Sequence, residues 1–257
     1  MFLQNNIMKN FRLTAEYDGT RYRGWQKQKN TENTIQQKFE NVLSEMTGKN
    51  TEIFASGRTD AGVHAIGQVA NFKTDADATC AGVKAYLNKY LPQDIRVTKV
   101  EETDLRFHSR LCATAKTYRY RVCFSKPGVF ERKFVYFHET DKEFDFSAAK
   151  SAAEKLCGTH DFINFSSLGK TKKSTVRTVY SIDIEKTATG VDFTLCGDGF
   201  LYNMVRIICG TLLEIGFKEK MPDDIDRIFT EKRSSAGVTL PACGLTLLSV
   251  EYDKSRN

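Results

Sequence analysis

The residues best suited to chemistry in this chain sit in one short run, Gly57-Arg58-Thr59-Asp60-Ala61-Gly62. Two glycines flank an arginine and an aspartate, with only small side chains beside them. Glycine allows tight turns and close approach of a ligand to the backbone. Such a loop can present Arg58 and Asp60 into a cleft. It is not a Walker loop, because the G-K-[ST] ending and the following helix are missing. It is not a dinucleotide fingerprint either. A hairpin turn with a solvated Arg and Asp fits the same residues.

A second group is Lys116-Thr117-Tyr118-Arg119-Tyr120. Alternation places Tyr118, Tyr120, Val122 and Phe124 on one strand face, which also suits plain core packing. A third is Gly197-Asp198-Gly199-Phe200-Leu201-Tyr202-Asn203-Met204-Val205-Arg206, where a strand yields to a strongly apolar helix. A cation at Arg206 needs an anionic partner if buried, or its head must reach water. His64, His108, His138 and His160 are scattered and give no metal spacing and no triad. The seven cysteines are odd in number and lack a C-x-x-C pair. They read as small buried thiols in a reducing compartment. Carboxylate chemistry is what remains for an enzyme, and no metal site is expected.

The elements that must position these groups follow from periodicity. Phe11, Leu13, Ala15 and Tyr17 alternate with Arg12, Thr14 and Glu16 as in a half-buried strand. Residues 34–47 read as a helix, with Thr34 and Gln37 as a capping box and Gly48 at its end. Strands are expected at about 51–56 and 63–73. A helix carrying Val83, Leu87, Tyr90 and Leu91 stops before Pro92, and a strand follows at about 94–101. The order strand, helix, strand, strand, helix, strand is that of a split βαβ unit. The second half repeats it loosely. Strands are expected near 112–124, 175–186 and 191–196, helices near 146–157 and 201–216, and a last strand at Leu245–Tyr252. Extra material occupies 125–140, and a short helix starts at Pro222. Two α/β domains are expected, 1–108 and 109–257, the first carrying the Asp60 loop and the second completing a cleft.

Bulk composition agrees with a globular chain. It has 257 residues, 40% hydrophobic and 27% charged. It lacks a signal-peptide pattern and any run of about 20 apolar residues, so a cytoplasmic location and no membrane partner are expected. Lys plus Arg exceeds Asp plus Glu by 38 − 32 = +6. The excess clusters, twice near aromatics: Arg21, Arg23, Lys27 and Lys29 around Tyr22 and Trp25, and Lys116, Arg119 and Arg121 among Tyr118 and Tyr120; Lys170, Lys172, Lys173 and Arg177 form a third group. Charge for phosphates beside flat faces for unstacked bases suits RNA. Solvated surface faces are the alternative.

The three groups, in this order, resemble the tRNA pseudouridine synthase A (TruA) family. The resemblance covers nearly the whole chain. It runs from Tyr17-Asp18-Gly19-Thr20 and Gly24-Trp25-Gln26 through Gly57 to Ala65. It continues through Phe107-His108, Lys116 to Tyr120, Gly158 to Phe162 and Gly199 to Arg206, ending at Gly244-Leu245. Tyr22, Ile66 and Ser109 depart from the family's usual Phe, Thr and Ala. The resemblance implies an isomerase acting on uridines 38, 39 and 40 of the tRNA anticodon stem-loop, as a homodimer and without any cofactor, nucleotide or other. It implies a pseudouridine synthase fold, α/β (α+β), with two split-βαβ-like domains around a continuous, mainly antiparallel sheet. It implies catalysis by Asp60 and base exposure by Arg58. It further implies base stacking by Tyr118, an ion pair from Arg206 to the catalytic carboxylate, and packing of Leu245 on the uracil. A non-catalytic RNA-binding protein of the same fold is the alternative.

Overall fold

The computed structural model describes residues 7–169 and 171–253. Its chain forms two compact units. One comprises the residues through Thr114 together with Leu247 onward, and the other comprises Ala115–Thr246.

In the first unit, β1 (Lys9–Tyr17) buries Phe11, Leu13 and Ala15 completely. That is the alternation expected from the sequence. Helix α1 (Ile35–Thr47) begins where the Thr34 hydroxyl accepts the Gln37 N–H at 3.3 Å, and ends at Gly48 with φ 69°. Its inner face is Ile35, Phe39, Val42 and Leu43, with Phe39 against Trp25 and Trp25 against Tyr17. Strand β2 (Phe54–Ala55) is shorter than the expected 51–56 segment. The flanking backbone serves side chains instead. Thr51 N–H donates to Ser44 Oγ, and Ile53 N–H donates to Glu40 Oε1 at 3.5 Å. Strand β3 (His64–Thr74), α2 (Cys80–Tyr90) and β4 (Ile95–Thr103) follow. Helix α2 is capped by Thr79 and stops one residue before Leu91-Pro92, as a proline requires.

The strands of this unit lie in the order β4-β1-β3, with β2 also on β3, and every pair is antiparallel. Strand β3 is thus inserted between β1 and β2, which α1 connects. This is the split βαβ arrangement. Strand β3 is buried on both faces at nearly every residue, and its Gln68 and Asn71 are hydrogen-bonded there. The Leu247–Tyr252 part of the last strand runs so close to β3 that a Cβ on Gly67 would meet the Leu248 carbonyl oxygen at 2.1 Å.

In the second unit the elements are β5 (Ala113–Cys123), β6 (Tyr136–Phe137), α3 (Phe146–Leu156), β7 (Gly158–Asp161), β8 (Val176–Lys186) and β9 (Gly190–Gly197). Helices α4 (Met204–Gly216) and α5 (Asp224–Thr230) follow, and then the start of β10 (Leu245–Tyr252). The sheet order is β5-β9-β8-β7, antiparallel at each step, with β6 parallel to the end of β5. Tyr118, Tyr120 and Val122 are buried on one face of β5, as alternation predicts. Helix α4 is buried along its length except at Arg206 and Glu214. It begins three residues later than expected because Asn203 takes a left-handed φ of 62°. Helix α5 begins two residues past Pro222. Strand β7, largely exposed, was not legible from the sequence, because an exposed edge carries no apolar alternation. Both units are mixed α/β with mainly antiparallel sheets.

All seven cysteines are free thiols. Only Cys123 and Cys209 are fully buried, and the other five are half-buried, which corrects the expectation of seven buried thiols. Among the described residues, no helix is long and apolar enough to cross a membrane.

The Gly67 approach is testable. A methyl group there meets backbone that no side-chain rotation can move. Gly67→Ala should lower stability by about 1–3 kcal/mol, read as a lower urea midpoint with unchanged slope. An unchanged midpoint would contradict the close packing of β3 and β10.

Candidate active site

The loop between β2 and β3 carries Arg58 and Asp60. Arg58 is exposed, Asp60 half-buried, and Thr59 between them 5% exposed. The loop closes on itself through a bond from Val63 N–H to the Asp60 carbonyl at 3.1 Å, with Gly62 at φ 80°. A second segment, Asp18–Trp25, grips it. The Trp25 N–H donates to the Thr59 carbonyl at 2.9 Å, and the Gly62 N–H donates to the Tyr22 carbonyl at 3.3 Å. The approach is close enough that a Cβ on Gly24 would lie 2.7 Å from the Thr59 oxygen, and Gly24 itself has φ +91°. Glycine is therefore required there on both counts. The Gly19 N–H donates to His64 Nδ1 at 3.1 Å, so His64 serves as an acceptor that anchors the gripping segment. Tyr22 donates to Asp94 at 2.6 Å, and Arg21 pairs with the same carboxylate at 2.6 Å.

Beneath the loop lies a set of buried polar side chains that sequence reasoning missed. The Ser56 hydroxyl donates to Gln68 Oε1 at 2.8 Å. Gln68 Nε2 donates to the Gly57 carbonyl at 2.9 Å and to the Tyr17 hydroxyl at 3.3 Å. The Tyr17 hydroxyl shares a 2.8 Å bond with Thr59 Oγ1. The available signal was Gln68, an amide inside the otherwise apolar half of β3. Its partners could not be read, since they lie up to 51 residues away.

In the second unit, Tyr118 is buried with its ring edge-on to Phe200 at 5.3 Å. Tyr120 is wholly buried and donates to the Pro241 carbonyl at 2.7 Å. Arg206 donates from Nε to the Leu240 carbonyl at 2.6 Å and from Nη1 to Asn203 Oδ1 at 2.7 Å. Both acceptors are neutral oxygens, a solution that the sequence reading of Arg206 did not include. Arg206 and Tyr120 thereby pin consecutive carbonyls, Leu240 and Pro241, just before Leu245. Leu245 is buried, and Gly244 ahead of it lies against the Tyr120 ring. Asp60 and Arg58 thus belong to the first unit, and Tyr118, Arg206 and Leu245 to the second.

The aromatic faces expected for base stacking need correction. Tyr22 and Trp25 are buried at 4% and 2% exposure, as part of the core against α1. Arg21, Arg23, Lys27 and Lys29 around them are exposed. This group offers charge without flat surfaces. Lys172 and Lys173 are exposed and Arg177 is half-buried, while Lys170 lies outside the described residues. Among the described residues, no three His, Cys, Asp or Glu side chains gather as a metal site would.

Residues 13–110 and 152–253 match the family described as tRNA pseudouridine synthase. The chain belongs to this family. It is 47% identical over 249 residues to tRNA pseudouridine synthase A of Bacillus sp. (strain KSM-64), covering 95% of this chain and 100% of the relative. It is 45% identical to tRNA pseudouridine synthase A 2 of Bacillus anthracis and 46% identical to tRNA pseudouridine synthase A 1 of Clostridium tetani, each with 95% and 100% coverage. The matched stretches contain every residue of the Asp60 loop and all of Arg206 and Leu245. Tyr118 falls between them.

Tyr17 offers a physical test of the loop's foundation. Burial pushes its phenol up to about 12, against an unperturbed value near 10. Below about pH 10 both folded and unfolded chains keep the proton, and stability is whole. Between about pH 10 and about 12 only the unfolded chain releases it. Stability then falls, by ~1.4 kcal/mol per pH unit for each such group. Tyr22, Tyr120 and Tyr252 are also raised by burial and add to the slope. Tyr17→Phe should cost about 1–2 kcal/mol at neutral pH. It should also remove one group's share of the alkaline decline in urea midpoints. An unchanged alkaline slope would contradict the buried phenol.

Proposed function

We propose that this chain converts uridine to pseudouridine in tRNA, at positions 38, 39 and 40 of the anticodon stem-loop. The observation that carries the reading is the Asp60 loop, a half-buried carboxylate on a clamped backbone, in a chain that matches the family over most of its length. The protein acts in the cytoplasm as a homodimer and needs no cofactor. The reaction breaks the bond from uracil N1 to ribose C1′, turns the base and rejoins it through C5. Nothing is oxidised and no phosphate is spent.

The reacting atoms lie inside a stacked stem, so the nucleotide must first leave the stack, at a cost of a few kcal/mol. Arg58 is exposed beside the catalytic residue and is suited to contact the phosphate and hold the base out. Asp60 in its ionised form attacks C1′, or removes the 2′ proton on a route through a glycal. Arg206 favours the charged carboxylate. Tyr118 stacks on the base, and Leu245 packs on its other side. The exposed Arg21, Arg23, Lys27 and Lys29 attract tRNA phosphates, an effect that weakens with salt.

Release of tritium from unmodified tRNA labelled at uracil C5 tests this reading. The wild-type protein should release the label and leave the chain intact. Asp60→Asn should bind tRNA and release none. Arg58→Ala should fold normally and turn over poorly. Binding without release by the wild-type protein would point to a non-catalytic RNA-binding protein. Abasic sites would point to a glycosylase. Release by Asp60→Asn at the wild-type rate would remove Asp60 from its role.

A further inference from the structure

The Tyr17 hydroxyl is an odd group to find where it is. Tyr17 ends β1, is 4% exposed, and packs its ring against Trp25. A phenylalanine would fill the same space without a buried polar atom to satisfy. The hydroxyl has two partners, Gln68 Nε2 and Thr59 Oγ1. Gln68 in turn reaches Ser56 Oγ and the Gly57 carbonyl. Every partner of this pair thus lies within the loop, on the two sides of Arg58 and immediately before Asp60. Gln68 donates to the tyrosine oxygen, and the Tyr17 and Thr59 hydroxyls share a bond in which either can donate. Thr59 is then held twice, by its side chain from Tyr17 and by its carbonyl from Trp25 at 2.9 Å. A residue fixed at both groups has little freedom, and its neighbour Asp60 inherits that restriction.

We infer that Tyr17 is a positioning residue for the reaction, acting through Thr59 to fix the direction in which Asp60 presents its carboxylate. The inference rests on the role of Asp60 given above. Tyr17 touches no substrate in this account, and its effect falls on turnover rather than on tRNA affinity. A misplacement of about 1 Å at a reacting group lowers rates about 10²-fold, and that sets the scale.

The test compares Tyr17→Phe, Thr59→Val and Thr59→Ser with the wild-type protein. Single-turnover tritium release is measured at saturating tRNA, and tRNA affinity is measured separately by filter binding. Tyr17→Phe and Thr59→Val should slow release by about 10–100-fold while tRNA affinity stays within about twofold. Thr59→Ser keeps the hydroxyl and should recover most of the rate, which a loss of general stability would not predict. If Tyr17→Phe fails to fold, the Thr59 pair decides alone. Full-rate release by Tyr17→Phe and Thr59→Val overturns the inference. So does a rate loss matched by lost affinity, or a Thr59→Ser protein as slow as Thr59→Val. Absence of release from the wild-type protein overturns the functional reading itself, so the two failures are distinguishable.

Discussion

Thr59 is gripped at both its carbonyl and its hydroxyl, and the Asp60 loop depends on that double hold. The carbonyl is taken by the Trp25 N–H, which can approach only because Gly24 has no side chain and adopts a positive φ. The hydroxyl is taken by Tyr17, at the inner end of the first strand. Neither hold is local. Both bring β1 and the segment after it onto a loop more than thirty residues away, a few residues before β3 begins. The split βαβ order makes this possible. It lays β3 directly beside β1, so the loop leading into β3 lies above the end of β1. Packing of Trp25 between Tyr17 and Phe39 then ties the clamp to helix α1.

The second unit solves a related problem with a cation. Arg206 stands at the start of a helix that is buried elsewhere except at Glu214, and its guanidinium donates to Leu240 and Asn203 oxygens. Charged donors make such bonds stronger than neutral ones. Together with the Tyr120 bond to Pro241, they hold the chain that leads into Leu245. Arg206 therefore has a structural task in its own unit.

Much of the fold was legible from the sequence. Alternation located β1 and β5, and caps located α1 at both ends, because those signals depend on neighbours within a few residues. The order of elements then gave the split βαβ pattern of the first unit. Strand β7 escaped because it is short and exposed. The start of α4 escaped because the left-handed turn at Asn203 has no apolar periodicity to mark it. At the site, Asp60 and Arg58 stood out by residue type, and family resemblance supplied their roles. Tyr22 and Trp25 were misjudged as surface aromatics, since composition cannot say which face of a loop is turned inward. The Tyr17, Gln68 and Thr59 set was invisible because its members matter only as neighbours in space.

The most direct check on Asp60 is the chemical identity of the product at nucleotide resolution. After incubation with unmodified tRNA, carbodiimide adducts specific for pseudouridine can be mapped by primer extension. Adducts are expected at positions 38, 39 and 40 of suitable tRNAs with the wild-type protein, and none with an Asp60→Asn protein that still binds tRNA. Adducts formed equally by Asp60→Asn, or their absence with a wild-type protein that binds tRNA, would contradict it.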